Sequence, residues 1–320
     1  MSTTYDCKGG TAKMSTETLP LQRYSLSGAT MGTRYSAVFY ATGEIDQAAI
    51  QADLQQAVEQ VDQQMSTWNP ASELMLLNAA PLDQWLSLPD ELLWVLITAL
   101  RMGEESAGAF DIGVGALVSA CGFGPQPAAE HLPARQPSAS AALELDVARR
   151  AVRKRAAISL DLNGIAKGFA VDQLARCLEQ HGIHAYLVGI DGEMRAAGIK
   201  ADGSAWLVAL EKPLKGCREV LGALELHDTA IATSGDYRHW RERDGSVHSH
   251  TMDPHSGVPL VSTLTSVSVI CTSCMYADAW ATTLLVLGVE RGSQLAKAQG
   301  LSAIFVLREG DELREITVGL

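Results

Sequence analysis

Hydrophobic residues recur at helical spacing in several parts of the chain. In the segment Ile45–Gln64, the apolar residues Ile50, Leu54, Val58 and Val61 fall on one stripe, as in a helix packed against a core. The same criterion predicts three further helices: Glu91–Ser106, about Ile165–Gln180, and Met275–Leu287. We therefore expect four main helices, each with one buried face.

Strands are predicted where β-branched and aromatic residues run together between turn residues. These segments are Thr33–Tyr40, Ala157–Asp161, Tyr186–Ile190, Ala205–Leu210, Ala230–Thr233, Leu264–Cys271 and Ala303–Leu307. Gly122–Ser140 is rich in Pro, Ala and Gly and is typical of a long surface loop. Because several strands follow one another without an intervening helix, the pattern favours an α+β fold, with mostly antiparallel sheets packed with helices.

Composition is that of a folded protein. The 320 residues are 47% hydrophobic and 19% charged, which is enough apolar material to bury a sizeable core. We expect one folded domain over residues 21–320. The polar segment 1–20 is expected to be a flexible tail or a stretch of added residues, because it has no apolar pattern.

The charge balance is acidic, since 25 Lys and Arg residues against 37 Asp and Glu residues give a net charge of −12. Nucleic acids and anionic membranes are therefore not expected as partners. The chain contains neither an apolar run of about 18 residues nor a secretory leader, so as written it is expected to be cytoplasmic, or periplasmic if a leader has been trimmed. Six cysteines are too few for a disulfide scaffold, and Cys271 and Cys274 are better explained as buried thiols than as a redox pair.

The segment Leu160–Gly168 combines features that could bind an anion. Asp161 ends the predicted strand, Gly164 forms a turn, and Lys167 falls in the first turn of the next helix. Free N–H groups at a helix start, together with a lysine, can hold phosphate. An ordinary strand–turn–helix with a capping Asn163 and an exposed lysine has the same spacing, so both interpretations stay open here.

Two further segments carry candidate chemistry. Asp278 and Thr282 are four residues apart, so on a helix their oxygens share a face and suit Mg²⁺; taken alone, this spacing is better explained by an Asp near an N-cap and a packed Thr. His250 precedes the Asp253-Pro254 turn and could act as a general base, although composition alone does not single it out among eight histidines.

Seven motifs in order resemble the ApbE-type FAD:protein FMN transferases, and the likeness runs from about Leu26 to near the C-terminus. The motifs are Gly28–Thr33, Met65–Trp68 with Ser72–Leu74, Gly108–Ile112, Leu160–Gly168, Ala232–Tyr237, His250–Gly257 and Asp278–Thr282. The resemblance implies a single α+β flavin transferase domain that holds FAD in a cleft between two lobes and uses Mg²⁺. It implies cleavage of FAD, attachment of FMN through its phosphate to a Thr or Ser hydroxyl of an acceptor protein, and release of AMP.

The resemblance also assigns site residues by motif. Eight would contact FAD: Met31, Trp68, Ala109, Phe110, Asp111, Asp161, Lys167 and Met252. The metal would be held by Asp278, Thr282 and a backbone carbonyl, placed at Gly164 with Ala166 as the alternative. His250, or a carboxylate near the metal, would accept the proton of the acceptor hydroxyl.

The sequence departs from the family pattern at one turn, and two other functions are compatible with the same residues. Asp191-Gly192-Glu193 stands where the family has a glycine pair, so a carboxylate replaces a glycine at that turn. The chain could instead hydrolyse FAD to FMN and AMP, or bind FAD without catalysis. AMP release without an acceptor would favour hydrolysis, and bound FAD without turnover would favour a binding protein.

Overall fold

The main sheet of the protein has eight strands, and each is paired antiparallel with its neighbours. The computed structural model describes residues 20–125, 128–129, 131–133, 136–214, 216, 219–235, 240–243, 246–249, 251–310 and 312–320. From one edge of the main sheet to the other, the strands are β1 (Leu21–Thr30), β2 (Thr33–Thr42), β6 (Ala185–Ile190), β7 (Glu193–Ala197), β10 (Ala230–Gly235), β15 (Leu264–Cys271), β16 (Ser302–Glu309) and β17 (Glu312–Val318). The predicted α+β class with antiparallel sheets is confirmed.

The remaining strands form small sheets around the main one. They are β3 (Leu86–Ser87), β4 (Leu143–Asp146), β5 (Ala151–Lys154), β8 (Trp206–Glu211), β9 (Val220–Leu226), β11 (Trp240–Arg243), β12 (Ser246–Ser249), β13 (Met252–Asp253) and β14 (Val258–Pro259). Strands β3, β5 and β4 form one sheet, and the other six form three hairpins. The β8–β9 hairpin contributes the buried Trp206, Val208 and Leu226 to a second, smaller core against Ile231 of the main sheet.

Seven helices occur in the described part of the chain. They are α1 (Gln47–Met65), α2 (Glu73–Ala79), α3 (Asp90–Glu105), α4 (Gly115–Ala120), α5 (Ala139–Ala142), α6 (Ala166–Gln180) and α7 (Cys274–Ala298), with a 3₁₀ turn at Ile112–Val114. The stripe predicted for the first helix is buried as expected, since Leu54, Val58 and Val61 are fully covered. The main core lies between these helices and one face of the main sheet.

The predicted strand Ala157–Asp161 is wrong. Residues 157–162 belong to no strand, and the neighbouring strand is β5, which ends at Lys154. The alternation of apolar residues nevertheless indicates correctly which side chains are buried, because Ile158, Leu160 and Leu162 all lie in the main core. The backbone N–H and C=O groups of this segment form hydrogen bonds with turns and with side chains, and not with a neighbouring strand.

The helix predicted for Met275–Leu287 is longer in the structure. Helix α7 extends from Cys274 to Ala298, but Gly288 has φ 74° and ψ 178°, which is not helical. The predicted end therefore coincides with a break, and a second helical segment continues beyond it. A glycine tolerates this backbone without a side-chain clash.

No helix within the described residues has the length and apolar character needed to cross a membrane. The expected tail at residues 1–20 lies outside the described residues except for its last position. Cys271 is half-buried and Cys274 is buried, and neither forms a disulfide. Burial raises the pKa of the Cys271 thiol to about 11.

Candidate functional site

A cavity of about 1120 Å³ opens beside the main sheet, and sequence-predicted site residues line it. Eleven of them do so: Met31, Trp68, Ala109, Phe110, Asp111, Asp161, Gly164, Lys167, Met252, Asp278 and Thr282. His250 lies outside the described residues. The structure thus brings together residues from motifs spread over most of the chain, and the roles assigned to them remain predictions.

Asp278 lies at a close contact between α6 and α7. Its side chain is 3% exposed, and its Oδ2 accepts a 3.0 Å hydrogen bond from the backbone N–H of Gly168. A Cβ on Gly168 would lie 2.3 Å from the carbonyl oxygen of Cys274, so only glycine permits this approach. Asp278 is therefore not the N-cap of its own helix, which is Ser273; it binds the first turn of the other helix.

Lys167 and Glu193 form a partly buried ion pair next to Asp278. The Nζ of Lys167 lies 2.6 Å from Oε1 of Glu193, whose side chain is buried. Burial opposes the charge on Lys167, but Glu193 and Asp278 outweigh it, so the pKa of this lysine is raised. Lys167 is thus not the exposed lysine of the simple strand–turn–helix interpretation.

The charge environment of Asp278 favours a cation. Burial and the neighbouring carboxylate of Glu193 raise the pKa of Asp278 to about 7, although Lys167 and the bond from Gly168 act in the opposite direction. A divalent cation at this carboxylate would relieve both the desolvation and the repulsion.

The oxygens around Thr282 suit a hard metal ion. Its Oγ1 lies 3.0 Å from Oγ of Ser234, and a Cβ built on Gly164 would lie 3.1 Å from the same Oγ1. The absence of a side chain at Gly164 therefore lets its backbone approach Thr282. A carboxylate, a hydroxyl and a main-chain carbonyl are ligands that Mg²⁺ prefers, with water and phosphate completing the set. Within the described residues, no group of three or more His, Cys, Asp or Glu side chains offers another metal site.

The turn before α6 is organised by Asp161. Its Oδ1 accepts a 2.8 Å bond from the N–H of Asn163, and its Oδ2 accepts a 3.1 Å bond from the side-chain amide of Asn163. Burial raises the pKa of Asp161, and the bonds from Asn163 oppose that shift. Asn163 is therefore not the helix cap that the alternative interpretation required; the cap residue is Ile165, without a side-chain bond.

Met31 lies at the tip of the β1–β2 hairpin, in a conformation that most residues avoid. The register pairs Thr30 with Thr33, so the loop has two residues, and both Met31 (φ 47°) and Gly32 (φ 72°) have positive φ. Such loops match the twist of a hairpin, but they strain a residue with a side chain. Met31 lines the cavity, and strained backbone conformations of this kind are typical of functional sites.

The other predicted FAD-contacting residues also line the cavity, with different degrees of exposure. Trp68 is 61% exposed, whereas Ala109 and Phe110 are buried. Asp111 has a structural task, because its Oδ1 accepts bonds from the N–H groups of Gly113 at 2.8 Å and Ala139 at 3.0 Å. Met252 is buried among Leu117 and Val118.

Sequence reasoning missed Glu193 as a site residue. Along the sequence Glu193 stands out only as a neighbour of Asp191, because its partner Lys167 is 26 positions away. The β6–β7 hairpin brings the two together, and Asp191 occupies its turn with φ 56°. Asp191 is therefore a non-glycine residue in a left-handed conformation, which an L-residue adopts at an energetic cost.

Comparisons with known proteins agree with one another. The sequence model of the ApbE family matches residues 31–305. The FAD:protein FMN transferase of Vibrio cholerae is 37% identical over 304 residues, which is 92% of this chain and 91% of that protein. The FAD:protein FMN transferase of Escherichia coli is 32% identical over 300 residues, covering 90% and 85% of the two chains.

Solved structures show the same likeness. The flavin transferase ApbE from Vibrio cholerae superposes with a TM-score of 0.84 at 34% identity, covering 93% of this chain and 97% of that one. The apo flavinyl transferase ApbE from Pseudomonas stutzeri also gives a TM-score of 0.84, at 35% identity over 93% and 95% of the two chains.

Proposed function

This chain belongs to the ApbE family, and from that premise we propose that it is a Mg²⁺-dependent FAD:protein FMN transferase. The observation that carries the proposal is the grouping of Asp278, Thr282 and Gly164 beside Lys167 in one large cavity. Hard oxygen ligands next to a lysine are what phosphoryl transfer from a pyrophosphate needs.

The cavity residues have distinct tasks in this proposal. Met31, Trp68 and the strip Ala109–Asp111 line the flavin and adenine sites, and Asp161, Lys167 and Met252 also contact FAD. Lys167 supplies a fixed positive charge near the pyrophosphate, since Glu193 and Asp278 keep it protonated. Asp278, Thr282 and the carbonyl of Gly164, or that of Ala166, would hold Mg²⁺. When bound, the metal neutralises charge on the phosphate oxygens.

Transfer joins the acceptor to the FMN half of the substrate. The hydroxyl oxygen of a Thr or Ser on the acceptor protein bonds to the FMN-side phosphorus, and the bond from that phosphorus to the AMP oxygen breaks. AMP leaves with the electron pair, and the hydroxyl proton passes to a base. His250 is proposed as that base, with a carboxylate near the metal as the alternative.

Incubation with FAD, Mg²⁺ and candidate acceptor proteins tests the proposal. Intact-mass analysis should show one FMN phosphoester on the acceptor and an equal amount of free AMP, both abolished by EDTA. AMP without an adduct would identify an FAD pyrophosphatase. Retention of FAD without any AMP would identify a binding protein.

A further inference from the structure

An asparagine outside the cavity clamps the segment that leads into the site. The side chain of Asn78, in the last turn of α2, makes two bonds to the backbone of Leu160. Its Oδ1 accepts from the N–H of Leu160 at 2.7 Å, and its Nδ2 donates to the carbonyl of Leu160 at 3.0 Å. A primary amide can thus replace both hydrogen bonds that a neighbouring strand would provide.

The clamp is needed because Ile158 and residues 160–162 are buried in a segment without a strand partner. Leu160 and Leu162 are each 1% exposed. Buried N–H and C=O groups must find partners, and an unpaired one costs about 1–3 kcal/mol. Further bonds to this segment come from the backbones of Ile112 and Gly115, which pair with Asp161 and Ser159, and from Oε1 of Gln136, which accepts from the N–H of Ser159 at 3.1 Å.

The clamp is itself held from a second side. The backbone carbonyl of Asn78 accepts a 2.6 Å bond from Nζ of Lys154, whose side chain is 5% exposed. Within the described residues, no carboxylate forms a salt bridge with Lys154. A lysine buried in this way is costly, and here its ammonium is committed to fixing the end of α2.

The turn that Asn78 holds carries the candidate ligands. Leu160 is followed directly by Asp161, whose carboxylate binds Asn163, and Gly164 then lies against Thr282. We propose that Asn78 is a positioning residue of the active site: through Leu160 it sets the turn that supplies the metal-binding carbonyl and Asp161. The proposal rests on the function proposed above, and Asn78 itself does not line the cavity.

The test compares Asn78→Ala with a matched variant, Gln64→Ala. Gln64 is also a buried amide with two bonds, accepting from the N–H of Leu92 at 3.2 Å and donating to Glu91 at 2.7 Å, but it holds α3 and not the turn. Both variants should lower the melting temperature. Only Asn78→Ala should weaken Mn²⁺ binding, measured from the free-ion electron paramagnetic resonance signal, by about 10–100-fold, as outer partners of metal ligands do.

Hydrogen exchange gives a readout that needs neither metal nor FAD. In Asn78→Ala the amides of residues 160–168 should lose protection beyond the global loss of stability, and in Gln64→Ala they should not. Unchanged exchange there, or Mn²⁺ affinity within twofold of the wild type, would overturn the proposal. If Asn78→Ala does not fold, Asn78→Asp keeps the shape and the acceptor while removing the donor, and the same criteria apply.

Failure of the proposed function would look different. If the wild type neither binds Mn²⁺ nor cleaves FAD with Mg²⁺, the transferase assignment falls, while the exchange data still decide whether Asn78 holds the turn.

Discussion

The backbone N–H of Gly168 donates a 3.0 Å hydrogen bond to the carboxylate of Asp278, so a candidate metal ligand also joins the start of α6 to α7. Replacing Asp278 therefore changes two things at once, the charge at the cavity and the contact between two helices. Different substitutions separate them.

Asp278→Asn keeps an oxygen for Gly168 and removes the charge. We expect it to fold with stability close to that of the wild type and to lose Mg²⁺-dependent FAD cleavage. Asp278→Ala should lose the same activity and, in addition, about 1–3 kcal/mol of stability, because the N–H of Gly168 is left without its partner. Denaturant unfolding and AMP release measure the two effects. If Mg²⁺ accelerates cleavage by Asp278→Asn as it does for the wild type, the metal assignment is wrong.

Thr282→Val tests the second oxygen. It removes a hydroxyl at nearly constant volume, and we expect the half-saturating Mg²⁺ concentration to rise on the order of 10–100-fold. Ser234→Ala is the matched control, since it breaks the same 3.0 Å bond and leaves the hydroxyl of Thr282 in place. Equal effects of the two variants would mean that Thr282 acts only through Ser234.

Gly168→Ala should destabilise the fold strongly. The new Cβ would meet the carbonyl oxygen of Cys274 at 2.3 Å, and backbone atoms cannot move aside cheaply. A loss of at least about 2–3 kcal/mol in the free energy of unfolding is expected. Gly222→Ala in β9 is the control, because nothing lies within 4 Å of its new methyl group; its stability should change by less than about 1 kcal/mol. Similar losses in both variants would contradict the close approach of α6 and α7.

His250→Ala should slow FMN transfer by ~10²–10⁴-fold while changing FAD affinity little, since a general base acts on the acceptor hydroxyl in the transition state. His255→Ala, an exposed histidine of the same motif, is expected to retain near wild-type kcat. An unchanged kcat with a raised KM in His250→Ala would make that residue a binding group.

Alkaline pH should destabilise the protein partly through Cys271. Burial raises its pKa from 9.0 to about 11, so between these values the unfolded state loses a thiol proton that the folded state retains. The contribution is therefore fully present below pH 9 and is lost as the pH rises towards 11. Denaturant unfolding between pH 8 and 11 under reducing conditions should show a decline that is smaller in Cys271→Ala, by about 1–3 kcal/mol. Parallel curves for the two proteins would refute this.

Local sequence patterns predicted the helices and strands in which buried residues recur periodically. The structure of other segments depends on contacts with residues far away in the sequence. The stripe on α1 was visible because burial repeats with the helix. Residues 157–162 carry a strand-like pattern that correctly marks burial. Their partners, however, include the side chain of Asn78, 82 positions from Leu160, and no local signal reports such a clamp.

In the candidate site, too, local spacing predicted some residues and the folding of the chain determined the others. The spacing of Asp278 and Thr282 was informative because both lie on one helix, and the structure places both at the cavity. Glu193 carried no comparable signal, since only the β6–β7 hairpin brings it to Lys167. The buried ion pair is a product of topology and not of motif spacing.

The cavity draws its walls from nearly the whole polypeptide, from Met31 at the first hairpin to Val306 on the penultimate strand of the main sheet. A ribosome adding roughly 5–20 residues per second would expose the first wall long before the last is made. If Asp278 and Thr282 hold the metal as proposed, a nascent chain lacks both metal-binding side chains until synthesis is almost complete. Under the same proposal, products of premature termination that end before Asp278 would be inactive towards FAD, and only a chain that extends past Thr282 could acquire the reaction.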